Sequence, residues 1–158
     1  MIRTLLVAAS LASLAGCVSI EVNESVSADA ALSAFQTARV RECPSPAAAP
    51  NVTPTETVGV TSVDIAFTPL ASDATRVVRL RRLTVAPRGS IGWHQHITVQ
   101  GMALIVFGEI VEHRASCAVP VLYRAGDVAI EDVATEHAWV NTTDEPVIVL
   151  TAHVIPRP

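Results

Sequence analysis

Lysine is absent from this chain: all eleven basic residues are arginines. That excludes Schiff-base chemistry on a lysine amine and the phosphate loop whose lysine reaches the terminal phosphates. Basic charge is in deficit overall. Eleven arginines face fifteen acidic residues, a net charge of −4, so nothing marks a nucleic-acid surface. The apolar run near the N-terminus, Leu5 to Leu14, is too short to span a bilayer. What is abundant is Val, Ala, Leu and Ile. Half of the 158 residues are hydrophobic, enough for the core of one domain.

The first residues, "MIRTLLVAASLASLAGC", read as an export signal: Arg3, a short apolar stretch, then small residues. The ending "LAGC" resembles the lipobox of bacterial lipoproteins. That resemblance implies removal of residues 1–16 and lipidation of Cys17. It implies an exported protein on the periplasmic side of the envelope, anchored to the membrane by lipid only. No Asp follows the cysteine, which by the sorting rule of such proteins favours the outer membrane. A plain signal peptide is the alternative. Cys43 and Cys117 then remain, an even pair that in an exported protein is a disulfide candidate; two unrelated thiols are the other reading.

Residues 17–56 form a mixed segment. "SADAALSAFQTARVRE", from Ser27, has the composition of a short helix with Ser27 as its cap. "CPSPAAAPNVTPTE" carries four prolines and is a tether or an extended strap. The glycosylation-like "NVT" at Asn51 carries no meaning in a bacterial lipoprotein. Residues 57–158 change character. "VGVTSVDIAF", "TRVVRLRRLTV", "GMALIVFGEIVEH", "AGDVAIEDV" and "EPVIVLTAHVI" are short β-rich runs bounded by turn residues. They predict an all-β antiparallel sandwich or barrel.

His94 and His96 stand two apart at a strand or its entrance, so both imidazoles face one side and Gln95 the other. One metal ion can use both. "PRGSIGWHQHITVQGMALIVFGEI" resembles the first cupin motif, G-x5-H-x-H-x(3,4)-E-x6-G. "GDVAIEDVATEHAWVN" resembles the second, G-x5-P-x-G-x2-H-x3-N, with Asp132 and Ala134 replacing the usual Pro and Gly. The resemblance covers about Val77 to Ile155. It implies a double-stranded β-helix, or jelly-roll, cupin barrel preceded by the signal and the strap. It implies His94, His96 and His137 as ligands of a divalent transition metal. Fe(II) is favoured by the three-His iron sites of the family; Zn, Mn, Ni and Cu also suit imidazoles. A barrel that has lost its metal and keeps the histidines for packing is the bland reading.

The family's glutamate is missing. Gly101 occupies its position, and Gln100, just before it, is the candidate fourth donor. Three neutral imidazoles leave the full charge of the ion to be balanced by a bound anion or substrate. By strand parity, Ala103, Ile105 and Phe107 face inward with position 101, and Trp139 and Asn141 with His137. These five predict a largely apolar pocket for a small aromatic or apolar substrate bearing a chelating group. The arginines Arg76, Arg79, Arg81 and Arg82 straddle both faces of their strand. His113 and His153 have no assigned role. By resemblance the leading function is that of a three-His non-haem dioxygenase or related metalloenzyme. The alternative is a non-catalytic metal- or ligand-binding envelope lipoprotein. Cupins often pair through edge strands, so a homodimer is expected.

Overall fold

The computed structural model describes residues 27–47 and 53–158. The expected signal segment, Cys17 and Asn51 lie outside the described residues. No helix among the described residues is long and apolar enough to cross a membrane.

Helix α1, Ala28–Gln36, opens as expected: the Ser27 hydroxyl accepts a hydrogen bond from the Ala30 amide at 3.1 Å. Asp29 in its first turn suits the helix dipole. The helix stops well short of Glu42, because the next residues are claimed by a strand. β1, Arg39–Val40, pairs in parallel with β7, Asp127–Glu131, and Arg39 bonds the Asp127 carboxylate at 3.0 Å.

The remaining strands are β2 (Val58–Leu70), β3 (Asp73–Gln95), β4 (Gln100–Phe107), β5 (Glu109–Arg114), β6 (Val121–Arg124), β8 (Glu136–Val140) and β9 (Val147–Pro156). One sheet runs β2–β3–β9–β4–β7–β1 and curls through β3 into β8–β5–β6. β3 makes this possible by its length. Its first part pairs with β2 and β9, and its last part, from Ser90, with β8. The result is an all-β jelly roll. The run read as one stretch, Gly101 to His113, is two strands. Gly108 breaks it with φ +79°, a left-handed conformation that suits glycine.

The two halves of the curled sheet enclose Val85, Ile105, Ile110, Trp139, Val147 and Val149, all nearly inaccessible. On β9 alternate residues are buried, so the inward row reads Val149, Thr151, His153, Ile155. Two polar groups in that row mark where the core gives way to a site. β2 is a mostly exposed outer strand, with Val63, Ile65 and Phe67 about half exposed.

The strap is ordered on both sides of its undescribed middle. Cys43 and Cys117 form a disulfide with a Cα–Cα distance of 5.7 Å, and Cys117 is buried. Residues 53–57 lie against β3: the Trp93 amide bonds the Pro54 carbonyl, and Ser90 bonds that of Glu56. The bridge closes a long loop, 74 residues in separation. In the chain-entropy model such a bridge stabilises by roughly 4 kcal/mol. Thiol titration of an unreduced, unfolded soluble form lacking Cys17 should therefore find no reactive thiol. Cys43→Ser with Cys117→Ser should lower the urea midpoint accordingly; two free thiols would contradict the bridge.

Candidate metal centre

His94 and His137 face each other directly across the β3–β8 pair. His96 follows β3, its amide held by the Thr135 carbonyl at 3.0 Å. The three imidazoles meet through their Nε2 atoms. The separations are 3.1 Å for His94–His96, 2.9 Å for His96–His137 and 3.2 Å for His94–His137. Each Nδ1 faces an acceptor: the Gly92 carbonyl at 2.9 Å, the Val99 carbonyl at 2.8 Å, and Glu112 Oε1 at 2.5 Å, respectively. A hydrogen on Nδ1 satisfies all three contacts. It leaves three Nε2 lone pairs converging with no proton among them. A cation suits that arrangement. Donors at about 2.1 Å from one ion lie about 3 Å apart when their bonds are near right angles. The observed triangle fits three cis positions on one metal.

Charge around the triangle is arranged for neutral imidazoles. Burial lowers His96 to about 4, and burial together with the charge of His137 lowers His94. Behind His137 stands Glu112, fully buried on β5. Burial raises its pKa, but bonds from His137 and Arg114 outweigh that and hold the carboxyl below its ordinary range. Arg114 donates to Oε1 at 2.9 Å and the Tyr123 hydroxyl to Oε2 at 2.9 Å. Burial and Glu112 in turn raise the Tyr123 pKa, so its phenol stays protonated. Glu112 thus fixes the His137 tautomer, as carboxylates commonly do behind metal-bound imidazoles.

The structure also brings two groups to the site that sequence reasoning did not assign. Glu131 on β7 and His153 on β9 are both buried, and His153 Nε2 is hydrogen-bonded to Glu131 Oε2. Glu131 Oε1 lies 3.7 Å from His137 Nε2. Burial opposes the Glu131 charge, but His153, His137 and His96 together lower its pKa. A phase argument finds these residues. In "DVAIE" the inward positions are Asp127, Ala129 and Glu131, and in "VIVLTAHVI" they include Thr151 and His153.

A cavity of about 70 Å³ opens beside the histidines. Ala103 and Trp139 line it, as strand parity predicts, together with Ile110 and Val149. Four other expected positions lie elsewhere. Ile105 is on the predicted face but belongs to the packed core. Phe107 is displaced by a register shift between Ile105 and Phe107, which ends the parity count. It borders a separate surface depression with Glu109 and Arg124. Asn141 is inaccessible, and its amide bonds the Ala86 and Glu145 carbonyls, pinning the turn after β8. Gln100 points to the face opposite Gly101 and bonds the Ile97 carbonyl at 3.1 Å, so it is not placed to be the fourth donor.

Residues 81–153 match the family model described as "Cupin domain". That stretch, just under half of the chain, is similar to a cupin domain. No curated protein matches the chain. Among solved structures, KdgF from Halomonas sp. is 16% identical, with a TM-score of 0.50 over 63% of this chain and 81% of that one. An oxalate oxidase in complex with the substrate analogue glycolate is 16% identical, with a TM-score of 0.49 over 66% of this chain. The chain spans about half, 54%, of that oxidase's length. A Cupin 2 conserved barrel domain protein from Salinispora arenicola is 21% identical, with a TM-score of 0.47 over 60% of this chain and 74% of that one. At 16% identity the likeness to KdgF is one of fold.

The curled sheet thus joins a donor triangle to a small apolar cavity. Two outcomes follow from its electrostatics. Glu112→Ala strands Arg114 and frees His137 to change tautomer. Breaking a buried pair in this way costs about 3–5 kcal/mol, measurable by urea unfolding of the metal-free chain. The second concerns pH. His94, His96, Glu112 and Glu131 all have lowered pKa values when folded, so the unfolded chain binds their protons first. For His96 the stability is present above 6.5 and is lost as pH falls toward about 4. The carboxylates add to the loss below 4.5, their ordinary value. Unfolding free energy of the metal-free chain should fall steadily from pH 7 to pH 4; a flat profile would contradict the buried neutral triangle.

Proposed function

We propose that this chain is an exported, lipid-anchored metalloenzyme that holds one divalent metal on His94, His96 and His137. It acts on a small chelating molecule in the adjoining cavity. The carrying observation is the convergence of three Nε2 lone pairs within 3.2 Å, each ring fixed from behind by an acceptor. Fe(II) is favoured, since three cis donors with open positions are the arrangement of non-haem oxygenases. Zn, Mn, Ni and Cu meet the same donors. A bound metal supplies Lewis acidity there and, when redox-active, activation of O2.

The residues of the chain set the substrate. Trp139, Ile110, Val149 and Ala103 give the cavity apolar walls and exclude water. Its 70 Å³ is about half of the ~150 Å³ that takes a benzene ring, so a substrate of a few heavy atoms fits better than an aromatic one. The disulfide supports export, because such bridges persist in oxidising compartments. The tightness of the same cavity favours a second reading, a metal-binding envelope protein without turnover.

Elemental analysis of the purified chain, beside a His94→Ala, His96→Ala variant, tests the proposal. Near-stoichiometric iron that is lost in the variant, with oxygen uptake on small chelating acids or thiols, is the expected result. Metal without uptake would favour the second reading. No metal after reconstitution would end both.

A further inference from the structure

We infer that Glu131 is the carboxylate donor of this centre, reaching it from β7 because Gly101 on β4 leaves the position open, and that His153 holds it in place. The inference rests on the His94, His96 and His137 reading and adds a residue to it. Three strands carry the argument. Gly101 pairs with Glu131 on one side and with His153 on the other. The row Glu131–Gly101–His153 therefore points its side chains to one face, that of the cavity, which Glu131 and His153 line. A Cβ at position 101 would collide with the Ala152 carbonyl oxygen and come within 2.8 Å of the His153 ring. No glutamate can stand at 101 in this backbone. The bare glycine is what lets Glu131 and His153 meet across β4.

Glu131 also lies near two of the three histidines. Glu131 Oε1 is 3.7 Å from His137 Nε2, between the about 3 Å of cis donors and the about 4.2 Å of trans donors on one ion. His96, Glu131 and His153 offer donor atoms within 4.8 Å of one another. All three are buried. His153 has Nδ1 buried without a hydrogen-bond partner, so the Glu131–His153 pair is not a closed structural contact. A divalent cation among these imidazoles would add to the favourable surroundings of the buried carboxylate. With Glu131 bound, the ion keeps one net positive charge, and the centre is tied to both halves of the curled sheet.

Titration of the metal-stripped chain with Co(II), followed by visible absorption, tests this. Glu131→Gln should weaken binding roughly tenfold or more and alter the Co(II) spectrum, with the circular dichroism of the metal-free variant at pH 7 still that of the folded chain. Binding within twofold of wild type with an identical spectrum would overturn the inference while leaving the three-histidine centre intact. Wild-type chain that takes up no Co(II) would overturn both. Should Glu131→Gln fail to fold, a crystal structure of the Co(II)-loaded wild type decides. A Glu131 oxygen at about 2.0–2.2 Å supports the assignment; one beyond bonding distance rejects it.

Discussion

Three lone pairs held within 3.2 Å of one another repel unless something positive lies among them. The fold supplies the restraint. His94 and His137 are register partners on β3 and β8, so neither can withdraw without parting the strands. His96 is held by backbone bonds at its own amide and at Nδ1. Glu112 anchors His137 from β5, and Arg114 and Tyr123 anchor Glu112. The cost of gathering these groups is spread over the two halves of one curled sheet, which the hydrophobic core holds together.

β3 is the element that makes this economical. Its first part builds the wall with β2 and β9, and its last part carries the histidines beside β8. The cavity lies where the two halves face each other. Its apolar walls come from both, Val149 from β9 and Trp139 from β8. The polar row Thr151–His153 on β9 brings the other half's contribution up to the histidines.

The parts of this arrangement that local spacing controls were legible in the sequence. The His-x-His pair, the third histidine and the β-rich runs depend on periods of two and on turn residues, which are written along the chain. The Ser27 cap is equally local. Glu131 and His153 were not legible as a pair, because they meet through the register of three strands that are distant in sequence. Glu112 lay hidden for the same reason. Phe107 shows the reverse failure: parity counting is sound until one register shift, and a shift leaves no mark in composition. Asn141 matched a motif position, yet its hydrogen bonds make it the clamp of a turn.

The acceptors behind the three imidazoles differ. Two N–H groups face peptide carbonyls, and the third faces a buried carboxylate. An imidazole that shares its hydrogen with a carboxylate is the stronger electron donor at its far nitrogen. The triangle is therefore symmetric in distance and asymmetric in donor strength. His94, His96 and His137 would therefore hold an ion as unequal donors, with His137 the strongest of the three.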